Sequence, residues 1–229
     1  MKTIWIIDYD DTLIPTTLII KYINNINTKI DFFTINNILI NLIDIHAFLY
    51  KIRKDTIYIL TASLNPWVEN SLEKINELLI INKDLIDLNY VKKNTNNYND
   101  LFVNLLLNKK INLIFNLLND FVKIYYVNDI EKNIYDNSER FYKYNSMKFI
   151  LDLNKDINNV ISIGDNDINE GEVTKLLSEI YDKKIFKFIQ FENKKFTYEY
   201  KIYELQNLIN YIDQIKNDKS NSKYVLNKI

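Results

Sequence analysis

The chain contains no cysteine, so disulfides, thiolate zinc sites and cysteine nucleophiles are all excluded. Glycine and proline number only two each in 229 residues. Neither a Gly/Ser linker nor a proline-rich segment therefore divides the chain, and the position of each glycine is informative. There is one histidine, His46, within a helical run and without a ligand partner nearby in sequence. A structural role is the expectation for it. No strong excess of one charge is present either. The formal net charge of -1 supplies no basic stripe for a phosphate backbone or an anionic membrane, so neither nucleic acid nor membrane is expected as a partner. The N-terminal apolar run stops at Asp8, too short for a signal sequence, and no stretch reads as long and uncharged enough to span a bilayer. A cytoplasmic, intracellular protein is the expectation.

What is present is an ordinary apolar share of 47% and a charged share of 26%, enough to build one core. Asn and Ile together make up roughly a third of the residues. Short, nearly continuous apolar runs predict strands over Thr3–Asp8, Thr56–Thr61, Val122–Asn128, Asn159–Gly164 and Lys184–Phe191. Helical periodicity fills the gaps: Thr34–Lys54, a helix opening at Pro66, Tyr98–Asp120, Ser146–Leu153, Glu170–Tyr181 and Tyr198–Ile215. Ser63 or Asn65 is placed to cap the Pro66 helix, with Pro66 at its first position. Strands alternating with helices predict an α/β domain around a parallel sheet. One domain over 1–216 is expected, with a possible small helical insertion at 81–119 and a fraying polar tail over 217–229. Thr12 to Thr56 has room for a loop and two helices.

In such a sheet, ligands bind beyond the carboxyl ends of the strands. The first strand is followed by Asp8-Tyr9-Asp10-Asp11-Thr12, the second ends at Thr61, and the fourth runs into Gly164-Asp165. Side chains alternate along an extended segment, so Asp8 and Asp10 share a side, with Tyr9 expected to pack beneath the sheet. One carboxylate can attack phosphorus while the other protonates the leaving oxygen and then activates water. Two carboxylates beside a phosphate repel it, and a divalent cation with hard oxygen ligands resolves the conflict; Asp165 is the natural third acid for that ion. Thr61 can donate to a phosphoryl oxygen, and Lys148 can neutralise developing charge, with Lys143 as its rival. Each feature alone has a bland reading, since acids at strand ends also cap helices and most helix lysines are solvated.

Ile6-Ile7-Asp8-Tyr9-Asp10-Asp11-Thr12-Leu13 resembles the first motif of the haloacid dehalogenase (HAD)-like superfamily. Ile59-Leu60-Thr61 resembles its second, Lys148 its third-motif lysine, and Ile161-Ser162-Ile163-Gly164-Asp165 its fourth. Pro15-Thr16 and Trp67-Val68 resemble pairs found in poorly characterised eukaryotic members. The resemblance implies a Rossmann-like, three-layer α/β/α core with a five-stranded parallel sheet and a minimal cap or none. It implies an Mg2+-dependent phosphatase with catalytic Asp8, Asp10, Thr61 and Lys148, and with Asp8, Asp10 (by its backbone carbonyl) and Asp165 at the metal. Glu170 stands where the family places a further acid. The expected partner is a phosphorylated substrate, and a minimal cap favours a bulky one or a shield supplied by a second subunit in a homo-oligomer. Phosphotransfer to another acceptor, or a catalytically idle binding module on the same fold, are the alternative functions.

Overall fold

The computed structural model describes residues 2–25, 28–108, 122–127, 129, 143–192 and 197–226. Six parallel strands form one sheet: β1 (Thr3–Ile7), β2 (Thr56–Thr61), β3 (Val122–Tyr126), β4 (Asn159–Gly164), β5 (Ile185–Gln190) and β6 (Ser222–Val225). Their spatial order is β3-β2-β1-β4-β5-β6. The chain therefore builds outward from β1 in one direction through β2 and β3, then returns to β1's other edge with β4. That reversal puts a crevice at the carboxyl ends of β1 and β4.

The expected five strands are all present, within two residues of their expected ends; Asn128 lies outside the described residues. The sheet has a sixth strand, against expectation. Residues 222–225 do not fray but pair with β5. Asp218 holds this return, accepting bonds from Ser220, Ser222 and Tyr224, and these bonds lower its pKa. Asn221 accepts the Phe186 amide at 2.8 Å.

Helices are α1 (Thr16–Asn24), α2 (Phe32–Ile52), α3 (Trp67–Ile81), α4 (Leu88–Asn94), α5 (Asp100–Asn108), α6 (Tyr144–Leu153), α7 (Val173–Ile180) and α8 (Tyr198–Asn217). The alternation of strand side chains explains the layers. Trp5 and Ile7 of β1 enter a core with Ile57, Ile59, Ile161 and Ile163, covered by α1, α2, α3 and α8. Ile4 and Ile6 face the other way, joining Tyr58, Leu60 and Val160 beneath Met147, Ile150 and Leu151 of α6 and Val173 and Leu177 of α7.

α2 corrects one expectation, because by length and composition it is apolar enough to cross a membrane. Within the fold, 72% of its apolar window is buried. It packs against α8, α3 and α4. His46 lies on α2, its ring stacked 4.0 Å from that of Phe102, and burial lowers its pKa. The expected room between Thr12 and Thr56 holds α1 and α2, both part of the main core. The candidate insertion at 81–119 is helical where described, with α4 against α2 and α5 against α3; residues 109–121 lie outside the described residues.

Candidate functional site

Asp8 follows β1 directly, and its amide donates to the Ile163 carbonyl of β4 at 2.9 Å, which fixes it at the crevice. The chain then turns sharply. Asp11 adopts a left-handed backbone (φ 52°), a conformation that Asp tolerates better than most residues. The Leu13 and Ile14 amides both close on the Tyr9 carbonyl, at 3.0 and 3.1 Å. This turn brings the Thr12 hydroxyl back to Asp8 Oδ2 at 3.0 Å. Tyr9 is buried against α3, its hydroxyl 2.7 Å from that of Ser71; burial raises its pKa far above the ordinary phenol value.

Lys143 supplies the cation at Asp8, where Lys148 was the expectation. Its Nζ lies 2.5 Å from Asp8 Oδ1 and 2.5 Å from Glu170 Oε1, with all three side chains nearly excluded from solvent. Lys148 is exposed on the outer side of α6. The phase of that helix explains the difference: Met147, Ile150 and Leu151 turn inward, and Lys148 falls outside that face. Burial alone would lower the Lys143 pKa. The carboxylates of Asp8 and Glu170 outweigh it and hold the ammonium above its ordinary value.

Glu170 is held from both sides. Oε1 takes Lys143, and Oε2 accepts the Asn166 amide at 3.0 Å. Its stem lies over Gly164, where a Cβ would sit 2.5 Å from Glu170 Cγ. This close approach is why a glycine ends β4. Burial raises the Glu170 pKa. The neighbouring Asp165 is raised to about 6, first by burial and then by the charge of Asp8, against the opposing pull of Lys201 and Lys143.

Asp10 is held by side chains of β2 and of the segment leading into α3. Its Oδ2 accepts the Thr61 hydroxyl at 3.1 Å and the Ser63 hydroxyl at 2.7 Å, and its Oδ1 accepts Trp67 Nε1 at 2.8 Å. Ser63 therefore serves Asp10 rather than capping α3. Asn65 donates to Asp129 instead, and Pro66, after a cis peptide bond, stands just before the helix. An open basin of about 450 Å³, lined by Ser63, Leu64, Asn65, Pro66, Trp67 and Asn70, shares Ser63 and Trp67 with the Asp10 contacts.

Two residues of α8 escaped the sequence reading. Lys201, only 2% exposed, donates to the Asp11 carbonyl, and Glu204, fully buried, lies 3.8 Å from its Nζ. The signal was available: Lys201 falls on the stripe of Tyr198, Ile202, Leu205, Leu208, Ile209, Ile212 and Ile215, where an apolar residue belongs.

Among the described residues, no group of three or more His, Asp or Glu side chains gathers to hold a metal ion. The side-chain donors at the crevice are two carboxylates, Asp8 and Asp165, because the Asp10 carboxylate is engaged elsewhere. This donor set suits magnesium, which accepts one or two carboxylates and keeps several waters. Burial and the charge of Asp8 raise Asp165 against the opposing pull of Lys201 and Lys143, while Glu170 is raised by burial against the pull of Lys143. Thus Asp8, Asp10, Thr61 and Asp165 lie at the carboxyl ends of three adjacent strands, and Lys143 and Glu170 join them. Comparison with protein-family models, with curated protein sequences and with solved structures returned no match to the chain.

Proposed function

We propose that the chain is a magnesium-dependent phosphohydrolase of the haloacid dehalogenase-like type, acting on a phosphate monoester through an aspartyl-phosphate on Asp8. The observation that carries this reading is the buried Asp8 carboxylate at the sheet's reversal point, paired with Lys143 at 2.5 Å. A carboxylate bound to one lysine and one hydroxyl is aimed and kept from water, as a nucleophile requires.

An oxygen of Asp8 attacks phosphorus, and the bond to the leaving oxygen breaks. Asp10, protonated at the outset, gives that oxygen its proton, then takes one from the water that attacks phospho-Asp8, releasing inorganic phosphate, freeing the Asp8 carboxylate and returning Asp10 to its protonated form. Thr61, Ser63 and Trp67 set the orientation of Asp10 for both transfers. Lys143 offsets charge gathering on the phosphoryl oxygens, with Glu170 fixing its ammonium. The basin beside Trp67 receives the leaving group. Magnesium, held by Asp8, Asp165 and the Asp10 carbonyl, would supply the positive charge that lets a phosphate dianion approach these acids.

The test is hydrolysis of an aryl phosphate with and without magnesium, by the wild-type protein and by Asp8→Asn. Expected is magnesium-dependent release of phosphate that falls at least a thousandfold in the variant. Adding an alcohol acceptor separates hydrolysis from phosphotransfer. A folded wild-type protein inert toward aryl phosphate and a broad panel of natural phosphates would overturn the reading in favour of a binding module.

A further inference from the structure

Lys201 and Glu204 are an anomaly in the energetics of the fold. They lie on the apolar stripe of α8, 2% and 0% exposed, and 3.8 Å apart. Glu204 Oε1 accepts the Glu192 amide, but Oε2 has no hydrogen-bond partner among the described residues. Lys201 Nζ also lies 5.3 Å from the centre of the Phe191 ring. A buried ion pair this incompletely satisfied is commonly less stable than a pair of apolar side chains of the same size. Core stability therefore does not account for it.

The ammonium has a further contact at a telling place. It donates to the carbonyl of Asp11, the residue whose left-handed backbone makes the turn between the two catalytic carboxylates and Thr12. The Asp11 carboxylate is held separately, by the Thr17 amide at 2.9 Å and the Thr17 hydroxyl at the start of α1. The turn is thus pinned at two points, its side chain by α1 and its carbonyl by α8. A non-glycine residue stays in this region only when its surroundings over-determine it.

We propose that Lys201 is a positioning residue, which holds the Asp8–Thr12 turn in its catalytic shape through the Asp11 carbonyl, and that Glu204 is retained to keep that ammonium in place. Without the contact, the Asp11 carbonyl loses its buried donor and the backbone relaxes. Thr12 then leaves Asp8, and Asp10 loses its alignment with Thr61, Ser63 and Trp67. The consequence for rate rests on the phosphohydrolase reading; the consequence for the turn does not.

The experiment compares Lys201→Met, Lys201→Arg and the double variant Lys201→Met/Glu204→Gln in the full chain. Aryl-phosphate kinetics are combined with amide hydrogen exchange at Leu13, Ile14 and Thr17, with Ile161 and Ile163 as controls in the sheet. Expected for Lys201→Met is a fall in kcat of at least tenfold with KM within twofold. Exchange in the turn should quicken at least tenfold while the sheet is unchanged. Lys201→Arg should recover part of kcat. The double variant, which removes both buried charges, should regain thermal stability but not kcat. A folded Lys201→Met with wild-type kcat and wild-type turn exchange overturns the proposal, as does a double variant that recovers kcat along with stability. If the wild-type protein hydrolyses no phosphate, the phosphohydrolase reading falls and exchange alone decides: a loosened turn upholds the positioning role, an unchanged one refutes it.

Discussion

Lys143 and Lys148 are five residues apart, yet one is buried against two carboxylates and the other lies in solvent. Sequence order alone left both open: each precedes β4, and the spacing from Lys148 to Asp165 was short for the motif. The helical phase of α6 was the missing discriminator, since its inward face at Met147, Ile150 and Leu151 leaves Lys148 outside. Truncating the two lysines to methionine should separate them cleanly. Lys143→Met leaves Asp8 and Glu170 buried without their cation, so phosphatase activity should fall at least a hundredfold, equivalent to about 3 kcal/mol in the barrier. Lys148→Met should keep kcat within twofold. Steady-state kinetics on an aryl phosphate decides, and equal losses in both variants would contradict the arrangement. Gly164 was legible for a different reason. In a chain with so few glycines its place before Asp165 stood out, and the Glu170 stem lying where a Cβ would project explains it. What could not be read was the engagement of Asp10 by Ser63 and Trp67. That depends on the path of the loop after β2, for which the sequence offers only a proline.

At the level of elements, the first five strands were legible because parallel strands are written as short, largely apolar and β-branched or aromatic runs, even where Lys123 and Lys187 interrupt β3 and β5. β6 was not, since Ser222–Val225 carries a lysine and a serine and is half-exposed. Its strand character comes from the local Asp218 turn together with the distant edge of β5, which also meets Asn221 through the Phe186 amide. α1 was anticipated only as room for a second helix before Thr56, without bounds, because its nine residues offer just Ile19, Tyr22 and Ile23 as a short inward face. α2 and α8, the long pair covering one face, are joined through a buried acid. Asp44 of α2 accepts the Thr95 hydroxyl at 2.6 Å, Asn97 Nδ2 at 2.8 Å and Gln206 Nε2 of α8 at 2.9 Å. Burial raises its pKa while these bonds oppose the shift. Replacing it by alanine strands three donors in a closed interface. Asp44→Ala should therefore destabilise the fold by about 2–4 kcal/mol, read from urea unfolding. A loss well under 1 kcal/mol would show that this junction does not hold the helices together. Because α8 carries Lys201, the same variant also bears on how firmly the Asp8–Thr12 turn is seated.

For the molecule as a whole, the buried acids at the crevice make stability depend on pH. The folded-state pKa of Asp165 is about 6, against 3.8 for the free side chain. The folded protein therefore binds a proton that the unfolded chain has released across this window. Its contribution to stability is greatest below the lower value and is lost as pH rises through the upper one. Glu170, Glu204 and Asp44 shift in the same direction and add to the trend, while His46, whose pKa burial lowers, opposes it over the same interval. Metal-free protein should lose on the order of 1 kcal/mol from Asp165 alone between about pH 5 and about pH 7.5. Thermal or urea unfolding at the two pH values measures it; Asp165→Asn should flatten this share, and magnesium should restore stability at the higher pH. Stability of the metal-free protein that climbed across the same interval would contradict the electrostatics of the site. The sheet order has a consequence of another kind, in the time domain of synthesis. β1 is the central strand, with Ile4 opposite Thr56 on one side and Thr3 opposite Asn159 on the other. At about 5–20 residues per second a ribosome needs roughly 8–30 s to pass from Thr3 to Asn159. For that interval Thr3–Ile7, an apolar β-forming segment, has left the ribosome with one edge still without its partner. How fast the intervening codons are translated, and whether a chaperone shelters the nascent strand meanwhile, will govern the yield of folded protein as much as any contact in the finished sheet.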